Sequence, residues 1–170
     1  AVAGLGAPRF VTLVFTFFAV ALLNNWMIED GVSRRIRLLS LVFLLVTPVV
    51  MTTASICYVE WPMMFFMILG WKLSRKTLAD DRIADIAWTA LFWATALGMK
   101  YTAVLFVAPL CGEWLVALGR RRPGRAALAV CAIAVAAVVL AAPWLVRNWS
   151  ATGDPIYPLG EPLGFGTDSG

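Results

Sequence analysis

The sequence predicts an all-α, polytopic membrane protein of about six transmembrane helices. Three observations predict it. First, 61% of the 170 residues are hydrophobic, only 14% are charged, and mean hydropathy is +0.83. Soluble domains carry roughly 45–50% apolar and about 25% charged residues, so a soluble globule and intrinsic disorder are both excluded. Second, long runs carry no charge, and a membrane span needs about 20 apolar residues. Third, the basic residues gather in clusters, as the positive-inside rule requires of cytoplasmic loops.

The uncharged runs place the helices in order. Phe10–Ile28 is a run of 19 residues and Leu38–Val59 one of 22. Shorter runs follow at Trp61–Trp71, Ile86–Met99 and Tyr101–Gly112, and Ala126–Val146 closes the series with 21. Helices are expected over about 10–28, 38–54, 59–74, 84–98, 101–118 and 126–146. Arg34, Arg35 and Arg37 form the first basic cluster. Lys72, Arg75, Lys76 and Arg82 form the second, and Arg120, Arg121, Arg122 and Arg125 the third. Of the 14 basic residues only Arg9, Lys100 and Arg147 lie elsewhere. One out-and-back helical pair separates each cluster from the next, so all three clusters face the cytoplasm. Residues 1–147 then form a transmembrane helical domain, and 148–170 an extracytoplasmic loop or tail rich in Gly and Pro. This is a multi-pass arrangement for a cell (inner or plasma) membrane, its site facing outside the cytoplasm. Trp61, Trp144 and Trp149 fall near the outer boundary, and Trp26, Trp71, Trp88 and Trp114 near the inner one, where indoles are favoured. Trp93 is mid-span and fits neither belt.

Composition also removes chemistries. The chain has no histidine, so imidazole bases and His-held zinc or haem are outside its own means. Cys57, Cys111 and Cys131 are widely spaced in apolar context and read as small core residues. The net charge of +4 sits in membrane loops, so nucleic acid is not an expected partner. The chain begins at Ala1 without a basic leader. It therefore reads as no signal peptide and as a fragment of a longer protein.

The short runs point to a site. Ile86–Met99 covers roughly 21 Å as a helix, less than the hydrocarbon thickness of about 30 Å. Lys100 then lies below the outer boundary. Glu60 opens another short helix on that side, with Pro62 suited to its first turn. An ionisable group at such depth is a functional candidate by default. Arg147 follows the last helix at the same level. Glu113 lies towards the inner side and reads as a packing or interface residue.

Four outer-side stretches carry a resemblance when taken together. They are Tyr58-Val59-Glu60-Trp61-Pro62, Gly98-Met99-Lys100-Tyr101, Pro143-Trp144-Leu145-Val146-Arg147-Asn148, and Thr152-Gly153-Asp154-Pro155-Ile156-Tyr157-Pro158. In this order and spacing the chain resembles the polyprenyl-phosphate-sugar-dependent glycosyltransferases of the type C (GT-C) fold. These include bacterial relatives of protein O-mannosyltransferase and aminoarabinose transferase. The likeness spans roughly residues 10–160. Asp154 stands where those enzymes usually carry Asn. The acidic motif of their first outer loop has no counterpart here, so the chain alone is expected to be inactive.

The resemblance implies a GT-C-like fold and transfer of a sugar from an isoprenoid-phosphate carrier to an extracytoplasmic acceptor. It implies Glu60 as the catalytic candidate. Lys100, Arg147, Tyr58, Tyr101, Asn148 and Tyr157 become candidates for substrate binding. Cations at Lys100 and Arg147 suit a phosphate on which charge grows as the sugar departs. The expected partners are membrane lipid, the polyprenyl-phosphate-linked sugar and other membrane subunits. A divalent metal is the one cofactor in view, and it would need oxygen ligands; no nucleotide site is seen. The alternative is a non-catalytic multi-span subunit of a larger membrane complex. A transporter or channel is a third reading, disfavoured because no polar stripe runs along the helices.

Overall fold

The computed structural model describes residues 6–55, 58–80 and 82–155. Among them the chain is entirely helical. The helices are α1 (Gly6–Glu29), α2 (Arg34–Val46), α3 (Pro48–Ser55), α4 (Glu60–Asp80), α5 (Ile83–Met99), α6 (Val104–Arg121) and α7 (Pro123–Thr152). A single 3-10 turn, Tyr101–Ala103, joins α5 to α6. Two helices, α1 and α7, are long and apolar enough to cross a membrane, and the bent α2–α3 pair makes a third if it counts as one span. That is fewer than the six spans expected. At 17 residues α5 is short, and α4 and α6 carry charges through their second halves.

Two element boundaries differ from expectation for local reasons. The helix expected over 38–54 is broken at Thr47, and its halves meet at 69°. Thr47 precedes Pro48, whose ring disfavours helical geometry in the residue before it. Thr47 is accordingly extended, at φ −63° and ψ 122°. At the other end α7 continues to Thr152, so residues 148–152, expected in a loop, form its last turn. It stops where Gly153 takes φ 73° and returns its N–H to the Trp149 carbonyl at 2.9 Å. Glycine enters this left-handed region without a Cβ penalty.

The core lies around α5, against which α4 and α7 pack. Its buried residues include Ile86, Thr89, Ala90, Trp93, Ala94 and Ala96. Small residues here let neighbouring backbones come close, which is how helices associate in an apolar medium. Thr89 returns its hydroxyl to the Asp85 carbonyl at 2.7 Å, while Asp85 Oδ2 and the Trp114 indole N–H are buried without a hydrogen bond among the described residues. Trp93, which fits no interfacial belt, has a packing role. Its indole lies over Gly70 of α4 and donates to the Met67 carbonyl at 3.3 Å. Its other face meets Trp114 edge-on at 5.6 Å.

Helix α1 runs alongside α4 through a stripe of Thr12, Thr16 and Ala19, all buried. Phe15 packs against Phe65 and Phe66. Helix α2 buries no residue and presents Leu39, Phe43 and Val46 outward.

All three basic clusters share one end of the bundle. Lys72 of α4 reaches Glu29 at the end of α1 at 2.7 Å. Arg75 reaches Glu113 of α6 at 3.7 Å. Arg121 donates to the Leu78 carbonyl at 3.3 Å. Glu113 is therefore an exposed ion-pair partner at this end rather than a buried packing residue.

Candidate functional site

The opposite end of the bundle holds the candidate site. Helices α4 and α5 form an antiparallel hairpin, so the first residue of α4 faces the residue that caps α5. Those residues are Glu60 and Lys100. The Lys100 ammonium donates to Glu60 Oε1 at 2.5 Å across 40 positions of sequence. Their side chains are 30% and 36% exposed, so the pair lies in a partly dry setting. The second carboxylate oxygen, Oε2, is buried and has no hydrogen-bond partner among the described residues. A carboxylate has about four lone-pair sites, and an unfilled buried one is costly to maintain. Glu60 thus has accepting capacity that the fold itself leaves unused.

The start of α4 is held by Trp61. It is 3% exposed, and its indole donates to Thr53 Oγ1 on α3 at 3.2 Å. Pro62, also buried, stands in the first turn, where its missing N–H costs nothing. This anchoring fixes the helix end from which Glu60 projects. On the other strut, Lys100 leaves the helix at φ −156° and ψ 124°. Its carbonyl accepts the Ala103 N–H at 2.9 Å, which starts the 3-10 turn.

Arg147 belongs to the same end but not to the pair. A Cβ at Gly98 of α5 would lie 4.0 Å from the Leu140 carbonyl of α7. Arg147 stands two helical turns further on, about 10 Å along the axis. It is exposed, and no ion pair involves it among the described residues. Asn148, next to it, is half-buried and accepts the Thr152 hydroxyl at its carbonyl at 2.9 Å. Tyr58 is 47% exposed and lines a hollow with Pro48, Val49, Thr52 and Thr53. Tyr101 contributes backbone to the 3-10 turn; its side chain, and Tyr157 altogether, lie outside the described residues. The structure therefore joins Glu60 to Lys100, brings Arg147 to the same end, and sets Tyr58 just before Glu60.

One contributor escaped the sequence reading. Thr53 acts through Trp61, a contact spanning a helix break that no local pattern announces. Asp154, part of the Thr152–Pro158 stretch, is 1% exposed, and its N–H donates to the Thr152 hydroxyl at 3.2 Å.

Glu60 is the one carboxylate this pair could offer a divalent metal. Glu60 is engaged by an ammonium. No group of three His, Cys, Asp or Glu side chains gathers among the described residues.

One family model matches the chain, Domain of unknown function (DUF8201), over residues 7–168. No curated protein and no solved structure matches it.

Proposed function

The chain belongs to the DUF8201 family, and we propose that it is the membrane segment of a GT-C-type glycosyltransferase using a polyprenyl-phosphate-linked sugar. The observation that carries the proposal is the Glu60–Lys100 pair, with Glu60 Oε2 buried and without a hydrogen bond. In this reading the Glu60 end faces outside the cytoplasm of a cell membrane. Helices α4, α5 and α6 cross within the bundle alongside the longer spans, which gives six spans with α2–α3 as one.

The chemistry follows from charge. The donor arrives in the membrane plane with its phosphate at the interface. Lys100 exchanges part of its contact with Glu60 for a phosphate oxygen, and Arg147 supplies a second cation. The acceptor hydroxyl attacks the anomeric carbon. The bond from that carbon to the phosphate oxygen breaks, and the phosphate leaves with the electron pair. Cations placed where this charge grows lower the barrier. Glu60 Oε2 accepts the hydrogen bond, then the proton, of the acceptor hydroxyl. No step calls on a metal.

The test is sugar transfer by purified full-length protein in liposomes, using a panel of polyprenyl-phosphate sugars. Glu60→Gln keeps the shape of the side chain and removes the charge. Glu60→Gln, Lys100→Ala and Arg147→Ala are each expected to lower the transfer rate about ten- to a hundredfold, with normal membrane insertion. Arg147→Lys recovers only part, since a point charge replaces a fork. Unchanged transfer in Glu60→Gln and Lys100→Ala overturns the catalytic reading and leaves the non-catalytic subunit in its place.

A further inference from the structure

The basic end of the bundle holds a second cavity, remote from Glu60 and Lys100. It lies between the end of α1 and the middle of α4 and encloses about 600 Å³. Ligand pockets occupy roughly 300–1,000 Å³. Trp26 and Trp71 form one wall, their rings 4.0 Å apart. Charged residues of both signs line it beside leucines: Glu29 at the end of α1, Asp30 just after it, and Lys72 and Lys76 from α4.

The charges are partly spoken for. Glu29 pairs with Lys72 at 2.7 Å and also accepts from Asn25 at 3.1 Å. Arg75, also on the wall, lies over the Trp71 ring at 5.8 Å and pairs with Glu113. That leaves one carboxylate, Asp30, and one ammonium, Lys76, with no ion pair among the described residues. Asp30 is moreover misplaced by ordinary helix electrostatics. It ends α1, where Gly31 at φ 72° and the Val32 N–H to Met27 carbonyl bond of 2.9 Å close the helix. A helix C-terminus carries partial negative charge and favours cations. An anion there gains from a cation brought from outside.

We propose that this cavity binds the phosphoethanolamine headgroup of an aminophospholipid. The headgroup matches what the cavity leaves open. Its phosphate faces Lys76, and its primary ammonium faces Asp30 and the Trp26 indole, whose face attracts cations. The acyl chains run from the cavity along the apolar side of α1, a candidate span that ends at Glu29, so the cavity stands at the level of lipid headgroups. A purely anionic headgroup leaves Asp30 repelled. A choline headgroup has no N–H to donate to it.

The inference is independent of the glycosyltransfer reading and is tested without it. The full chain, released from membranes in mild detergent, is offered phosphatidylethanolamine, phosphatidylglycerol and phosphatidylcholine of matched chains, and retained lipid is read by native mass spectrometry. Preferential retention of one phosphatidylethanolamine is expected. Asp30→Asn and Lys76→Gln, both at exposed positions, are each expected to weaken it by up to about fivefold, the range of exposed ion contacts. Asp30→Asn should also shift preference towards phosphatidylglycerol, which a merely structural role would not do. Equal retention of all three lipids overturns the proposal, as does preference of the unsubstituted protein for phosphatidylglycerol or phosphatidylcholine. Soluble phosphoethanolamine is the remaining arm. Displacement of the lipid at equal concentration would show a soluble metabolite site instead and overturn the lipid assignment.

Discussion

Replacing Gly70 by Ala tests the packing that holds the Glu60–Lys100 hairpin together. A Cβ at residue 70 would lie 2.5 Å from Trp93 Cδ1, 2.6 Å from Nε1 and 3.1 Å from Cγ. Carbon atoms rest at about 3.5–4.0 Å, so the two must part by about 1 Å. The obstacle is no flexible tip. Trp93 is fully buried, donates to Met67 and packs on Trp114. Either α4 and α5 separate or the indole leaves its rotamer and its hydrogen bond. Overpacking of this kind costs about 1–3 kcal/mol. The control is Gly112→Ala in α6, where nothing lies within 4 Å of the added Cβ. That change carries only the helix-propensity gain, about 0.5–1 kcal/mol in favour of Ala. The same gain applies to Gly70→Ala, so unfolding of both variants in mixed detergent, followed by tryptophan fluorescence, should separate them by about 1–3 kcal/mol. Trp93→Leu opens room for the new methyl group, so Gly70→Ala should cost less in that background, a coupling that a double-mutant cycle reads directly. Equal stability of Gly70→Ala and Gly112→Ala, or full additivity with Trp93→Leu, would refute the reasoning.

Two further substitutions probe the ends of the elements that carry the site. Gly153→Ala forces a Cβ into the left-handed region at φ 73°; a loss of about 1–2 kcal/mol is expected, read by the same unfolding measurement, whereas no loss would show that α7 ends by other means. Trp61→Phe keeps an aromatic ring but deletes the N–H donor to Thr53 and leaves room in a buried site. Thr53→Val should cost about 0.5–1.5 kcal/mol, Trp61→Phe more than that, and the double variant no more than Trp61→Phe alone.

The all-helical class was legible from the sequence, because an unpaired charge is expensive in an apolar medium and charged residues therefore mark where helices end. Among the described residues, five of the six expected helices are each met by a single helix, and the sixth by the bent α2–α3 pair. Glu60 and Lys100 stood out for the same reason, as charges bordering runs too short to cross a membrane. The grouping of Arg34–Arg37, Lys72–Arg82 and Arg120–Arg125 at one end also followed from alternation of helix direction. Tertiary structure decided what depends on partners distant in sequence. Hydropathy along 38–54 is continuous, so only Pro48 acting on the backbone of Thr47 reveals the 69° bend. The uncharged run ends at Val146 and so puts Arg147 just beyond the last helix, yet α7 holds until a positive φ at Gly153 stops it. Trp93 had no explanation along the chain, since the slot that receives it is made by Gly70, 23 positions away. The contact between Glu60 and Lys100 is of the same kind. Each residue announced a charge at a helix end, but only the antiparallel packing of α4 on α5 brings the ammonium to one carboxylate oxygen and leaves the other without a hydrogen bond.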